Sequence, residues 1–135
     1  MDYTRRFWGA TVLAQIYTSL DIPNKYKLYI SMDEVKSVLG NKVRLLDILN
    51  VYEEILGKVF ENLNTPVYLL IDEIHYEKDW AIILKSIYER SNKVFILCTG
   101  SSALSLQTNA DTSRRSYFDK VFKLVISLDV ITYNI

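Results

Sequence analysis

Apolar and polar positions alternate along this chain with two periods, and the switches between them mark out the elements. Val12, Leu13, Ile16, Tyr17 and Leu20 fall at helical spacing, which predicts a first helix over Arg6 to Leu20, ended by Pro23 and Asn24. Lys27 to Met32 reads as a short strand that finishes at the acidic pair Asp33-Glu34. Val43, Leu46, Leu49, Tyr52, Leu56, Val59, Phe60 and Leu63 predict one long amphipathic helix from Lys42 to Leu63, stopped by Asn64-Thr65-Pro66. Val67 to Ile71 is a continuous apolar run, the pattern of a strand covered on both faces. Asp79 is placed to cap a further helix whose apolar face is Trp80, Ile83, Leu84, Ile87 and Tyr88, with Arg90 in its last turn beside the negative dipole end. Val94 to Cys98 predicts another buried strand, Ala103 to Thr108 a short helix, Thr108 to Ser116 a loop, and Val121 to Ile126 a fourth strand. Strand and helix alternate throughout, so the fold class is α/β, a parallel sheet of about four strands with helices on both faces.

Composition narrows the classes of function. A chain of 135 residues, 50% hydrophobic, is long enough for one compact core, and residues 1–135 read as a single domain or part of one. Sixteen basic residues balance sixteen acidic ones, so no global charge draws the chain to nucleic acid or an anionic membrane. The longest apolar runs fall well short of the about 20 residues a membrane helix needs, and the start lacks a signal-peptide pattern, which predicts a soluble, cytoplasmic protein. One cysteine, Cys98, and one histidine, His75, are too few for a zinc site, and Cys98 reads as a small buried side chain.

The candidate chemistry begins where the apolar run meets Asp72 and Glu73. Ligand sites in open α/β sheets lie at the carboxyl ends of strands. There the first carboxylate of a nucleotide hydrolase holds Mg²⁺ and the second orients or deprotonates water. Acidic residues also follow core strands simply because the chain has reached water, so a second signal is needed. Thr99-Gly100-Ser101-Ser102 supplies it at the end of the next strand, with a hydroxyl able to contact a phosphate or water and a glycine that lets the backbone turn closely under a ligand.

In order and spacing, Asp72-Glu73-Ile74-His75, Asp79-Trp80, Thr99-Gly100-Ser101-Ser102, Ala110-Asp111 and Arg114-Arg115 resemble the prokaryotic AAA-like P-loop ATPases, over Val67 to Arg115 and back to about Arg5. The resemblance implies an ATP-binding core with a Walker B pair, in which Asp72 serves Mg²⁺, Glu73 serves water, Thr99 is the sensor hydroxyl, and Arg114 or Arg115 reaches a phosphate. Each arginine could equally be a solvated loop residue. Asp72-Glu73-Ile74-His75 is also similar to the motif of DEAH-type helicases, but their Ser-Ala-Thr-like segment and strongly basic groove are absent, so His75 reads as a structural residue.

The phosphate loop departs from the family. Of the pattern Gly-x-x-x-x-Gly-Lys-Ser/Thr only Gly9 and Thr11 remain, as candidate phosphate and Mg²⁺ contacts, while Thr4 stands for the first glycine and Ala10 for the lysine. Gly9-Ala10-Thr11 can also be read as the start of an ordinary amphipathic helix. Only Met1-Asp2-Tyr3 precede Thr4, too few for the family's first strand, which predicts an incomplete core with an exposed central edge, from a truncated or split gene product or a domain read without its flanks. Losing one preorganised electrostatic donor typically costs about 2.7–4 kcal/mol, so hydrolysis is expected to be impaired in the isolated chain. The enzyme reading supposes an unconventional phosphate loop, or a partner chain or second copy that completes the site. A non-enzymatic interaction module using the exposed edge is the competing reading.

Overall fold

Three parallel strands, β1 (Lys27–Ser31), β2 (Val67–Asp72) and β3 (Val94–Cys98), form a sheet in the order β1-β2-β3. The structure is a computed structural model that describes residues 12–100. Register sorts every strand residue onto one of two faces. Leu28 and Ile30 stand beside Leu69 and Ile71, which stand beside Ile96 and Cys98. These residues, with Val67 and Val94, carry the hydrophobic core. Residues 45–56 (α3) add Leu45, Leu49 and Tyr52 to it, and residues 80–90 (α4) add Trp80, Ile83, Leu84 and Ile87.

Lys27, Tyr29 and Ser31 share the opposite face with Tyr68, Leu70 and Asp72. There Lys27 reaches the end of a helix over residues 12–19 (α1), donating to the carbonyls of Tyr17 at 2.8 Å and Leu20 at 3.1 Å. An ammonium at a helix C-terminus satisfies orphan carbonyls and complements the dipole. Helices thus flank the sheet, as an α/β fold requires. Among the described residues no helix is long and apolar enough to cross a membrane.

Several elements differ from their sequence expectation, each for a local reason. The first strand stops at Ser31 rather than Met32, and residues 32–39 form a helix, α2. Ser31 caps it by accepting the Glu34 amide, so Asp33 and Glu34 fill its first turn, where the dipole favours them, instead of ending the strand in water. The long helix from Lys42 to Leu63 is really α3, shorter at both ends, followed by a turn of 3-10 helix over Phe60–Asn62. Gly57, left-handed at φ 72° and ψ 14°, ends it. The helical spacing of apolar residues runs on past Gly57 because the chain folds Phe60 back into the same core, its amide donating to the buried carboxylate of Glu53 at 2.8 Å. Arg90 at the end of α4 pairs with Glu53 at 2.8 Å and Glu61 at 2.6 Å, tying the two helices together.

Asp79 occupies the position before α4 but with left-handed backbone, φ 60° and ψ 26°, and its side chain makes no capping hydrogen bond. β3 is less enclosed than β2: Phe95 is exposed and stacks on Tyr68, ring centroids 5.3 Å apart. β2, flanked on both sides, needs an unbroken apolar run, whereas β3 pairs only with β2 among the described residues. The expected helix 103–108 and fourth strand 121–126 lie outside the described residues.

Candidate functional site

Parallel pairing brings the carboxyl ends of β1, β2 and β3 to one rim, where Asp72 closes β2 and Thr99 follows β3. Asp72 is 4% exposed and Thr99 3%, so both polar groups need partners within the protein. They find each other. The Thr99 hydroxyl donates to Asp72 Oδ1 at 2.5 Å and accepts the backbone amide of Glu73 at 2.9 Å. The backbone of Thr99 is held as well, its amide donating to the Ile71 carbonyl at 3.0 Å and its carbonyl accepting the Ile74 amide at 2.9 Å.

Glu73 adopts left-handed backbone, φ 55° and ψ 48°, which stops β2 and swings its side chain out of the strand's alternation. The side chain ends half-buried, with Oε2 3.3 Å from His75 Nε2. Tyr29 belongs to the same sheet face, one step below Ser31, which pairs with Asp72. Burial above all, then the negative charge of Asp72 and Glu34, a hydrogen bond to Asp72 and the charge of Glu73 push its hydroxyl up to about 12, so it stays protonated and able to donate. Behind the turn, Glu77 is fully buried between Lys36 at 2.9 Å and Arg44 at 2.8 Å. Burial pushes its carboxyl up, but hydrogen bonds and charge from Arg44 and Lys36 prevail and hold it below the usual carboxylate range.

Asp72, Glu73 and Thr99 are therefore brought together as the sequence suggested. Gly9, Thr11, Arg114 and Arg115 lie outside the described residues. Tyr29, His75 and Glu77 were not assigned to the site from sequence. His75 sits beside the acidic pair in the chain and could have been found from that spacing alone, whereas Tyr29 depends on strand register and Glu77 on a tertiary ion pair.

The donor set discriminates between kinds of metal binding. Among the described residues no cluster of three or more His, Cys, Asp or Glu could hold a metal ion by itself. One or two carboxylates are what Mg²⁺ takes from protein when phosphate oxygens and waters complete its octahedron. The rim fits a metal that arrives with a phosphate ligand.

A protein-family model described as AAA domain matches residues 5–128. The chain belongs to the AAA domain family. That membership, with the parallel sheet, makes it an AAA-like ATPase domain of P-loop NTPase type at family level, a class that uses nucleotide and Mg²⁺. The uncharacterized protein MJ1637 of Methanocaldococcus jannaschii is 40% identical over 117 residues, covering 84% of this chain and 23% of that protein. The chain thus spans under a quarter of the length of this relative. No solved structure matches the chain.

Proposed function

We propose that this AAA domain binds Mg·ATP at the rim formed by Asp72, Glu73 and Thr99, and that it turns the nucleotide over slowly or not at all. The observation that supports this reading best is the hydrogen-bonded set of Asp72, Thr99 and the Glu73 amide at the carboxyl ends of adjacent parallel strands. Asp72 would hold Mg²⁺ through a carboxylate oxygen or a water on it. Bound Mg²⁺ would neutralise charge on the phosphates. Glu73, half-buried beside His75, would orient or deprotonate the attacking water. By resemblance, Gly9 and Thr11 would contact phosphate and Mg²⁺, and Arg114 or Arg115 a phosphate. Ala10 in place of the phosphate lysine is the reason to expect impaired turnover.

Calorimetric titration of the full chain with Mg·ATP tests this. Binding by wild type, lost in Asp72→Ala and retained in Glu73→Gln, is the expected result, with a hydrolysis rate that Glu73→Gln barely lowers. No binding to wild type overturns the reading, and turnover abolished by Glu73→Gln overturns the impaired-hydrolysis part of it. A second reading, an interaction module, draws on the pairing of β1 and β3 on one side each among the described residues, which leaves edges able to accept a partner strand or a second copy. Self-association or partner capture unaffected by nucleotide would favour it.

A further inference from the structure

A threonine hydroxyl has one proton to donate and two lone pairs. An ionised carboxylate can only accept, so the 2.5 Å contact between Thr99 Oγ1 and Asp72 Oδ1 takes that proton. The Glu73 amide takes a lone pair of the same oxygen at 2.9 Å. The main-chain amide and carbonyl of Thr99 are both engaged with β2 and the turn after it, and the residue is 3% exposed. Thr99 therefore has no proton left for a phosphate oxygen while Asp72 is held this way.

We propose that Thr99 is a positioning residue for Asp72 and Glu73, and that it does not read the terminal phosphate. Its hydroxyl fixes Oδ1 of Asp72, and so the orientation of the carboxylate to which Tyr29 also hydrogen-bonds and which would hold Mg²⁺. Its oxygen anchors the amide of Glu73 and so sustains the left-handed turn from which that side chain departs. The site then recognises the metal that accompanies the nucleotide, and Thr99 confers no preference for triphosphate over diphosphate. This rests on the Mg·nucleotide reading of the rim.

The test compares full-length wild type, Thr99→Val and Thr99→Ser by calorimetric titration with ATP and ADP, each with Mg²⁺ and with excess EDTA. Thr99→Val should weaken Mg·ATP and Mg·ADP by one common factor, on the order of tenfold for a lost hydrogen bond to a charged group. Metal-free binding should be unchanged, and Thr99→Ser should restore wild-type affinity. A loss confined to ATP overturns the inference, as does an equal loss with and without Mg²⁺, which a merely structural role would produce. If Thr99→Val fails to fold, the Glu73 amide resonance of wild type decides: it should shift alike with Mg·ATP and Mg·ADP, and a shift with ATP alone overturns the inference. Absence of nucleotide binding by wild type overturns the nucleotide reading itself, a different outcome from ATP-selective loss.

Discussion

Glu73 and Asp79 are the non-glycine residues with left-handed backbone among the described residues, and both lie in the turn that leaves β2. For an L-residue that conformation costs roughly 1–2 kcal/mol, so something must hold it. At Glu73 the restraints are visible: its amide donates to Thr99 Oγ1, and the next amide, of Ile74, donates to the Thr99 carbonyl. Backbone strain at a rim that gathers two carboxylates is the pattern expected where function opposes stability. Replacing Glu73 with glycine removes the steric penalty and adds an unfolded-state entropy of about 0.4–1 kcal/mol. Glu73→Gly should therefore leave stability unchanged or raise it by up to about 1 kcal/mol. Glu73→Val, β-branched and poorly suited to this backbone, should lower it. Urea midpoints at constant slope check both, and a clear destabilisation of Glu73→Gly would show that the carboxylate supports the fold.

The elements whose boundaries shift between sequence and structure are those ended by a single residue. α3 stops because Gly57 turns left-handed, yet the apolar spacing beyond it stays helical, since Phe60 re-enters the core by a different route. No Cβ contact blocks substitution at Gly57, so the penalty is conformational alone. Gly57→Ala should cost about 1–2 kcal/mol and Gly57→Asn less, measured by urea unfolding. By contrast β2 was legible at once, because a central strand must be apolar on both faces, and α2 was not, because its cap signal Ser31-x-x-Glu34 lies within residues that also read as strand and strand end. Glu77 belongs to the same scale, pinning the turn after β2 to α2 and to the start of α3. Its folded pKa lies below the ordinary 4.5, so its contribution is present above pH 4.5 and lost as pH falls through the lower folded value. Glu77→Gln should reduce stability near neutrality by about 2–3 kcal/mol, less than the loss from breaking a pair with no access to water because Arg44 is half-exposed. It should also flatten the fall in stability below pH 4.5. A variant whose acid sensitivity matches wild type would mean that other carboxylates carry that fall.

At the scale of the molecule, the acidic pair and Thr99 were legible in the sequence because their chemistry follows the ends of two buried runs. Tyr29, which hydrogen-bonds Asp72, and Glu77, which pins the turn after β2, were not, because they act through register and tertiary packing that no local spacing encodes. Cys98 offers a reporter that joins fold and site. It is wholly buried, points from β3 into the core beside Ile71, and immediately precedes Thr99. Burial pushes its thiol up, which suppresses the reactive thiolate further. In the native protein a thiol reagent can reach it only when the sheet opens, so labelling should follow the opening equilibrium and accelerate with urea in step with unfolding. Anything that binds the closed state and not the open one slows labelling by the factor 1 + [L]/Kd. Mg·ATP at ten times its Kd should therefore slow Cys98 labelling about elevenfold in wild type. In Asp72→Ala at the same concentration it should have no effect. Rapid labelling of folded wild type would show that β3 opens locally without the rest of the core. Protection by nucleotide that survives Asp72→Ala would place binding away from the carboxyl ends of these strands.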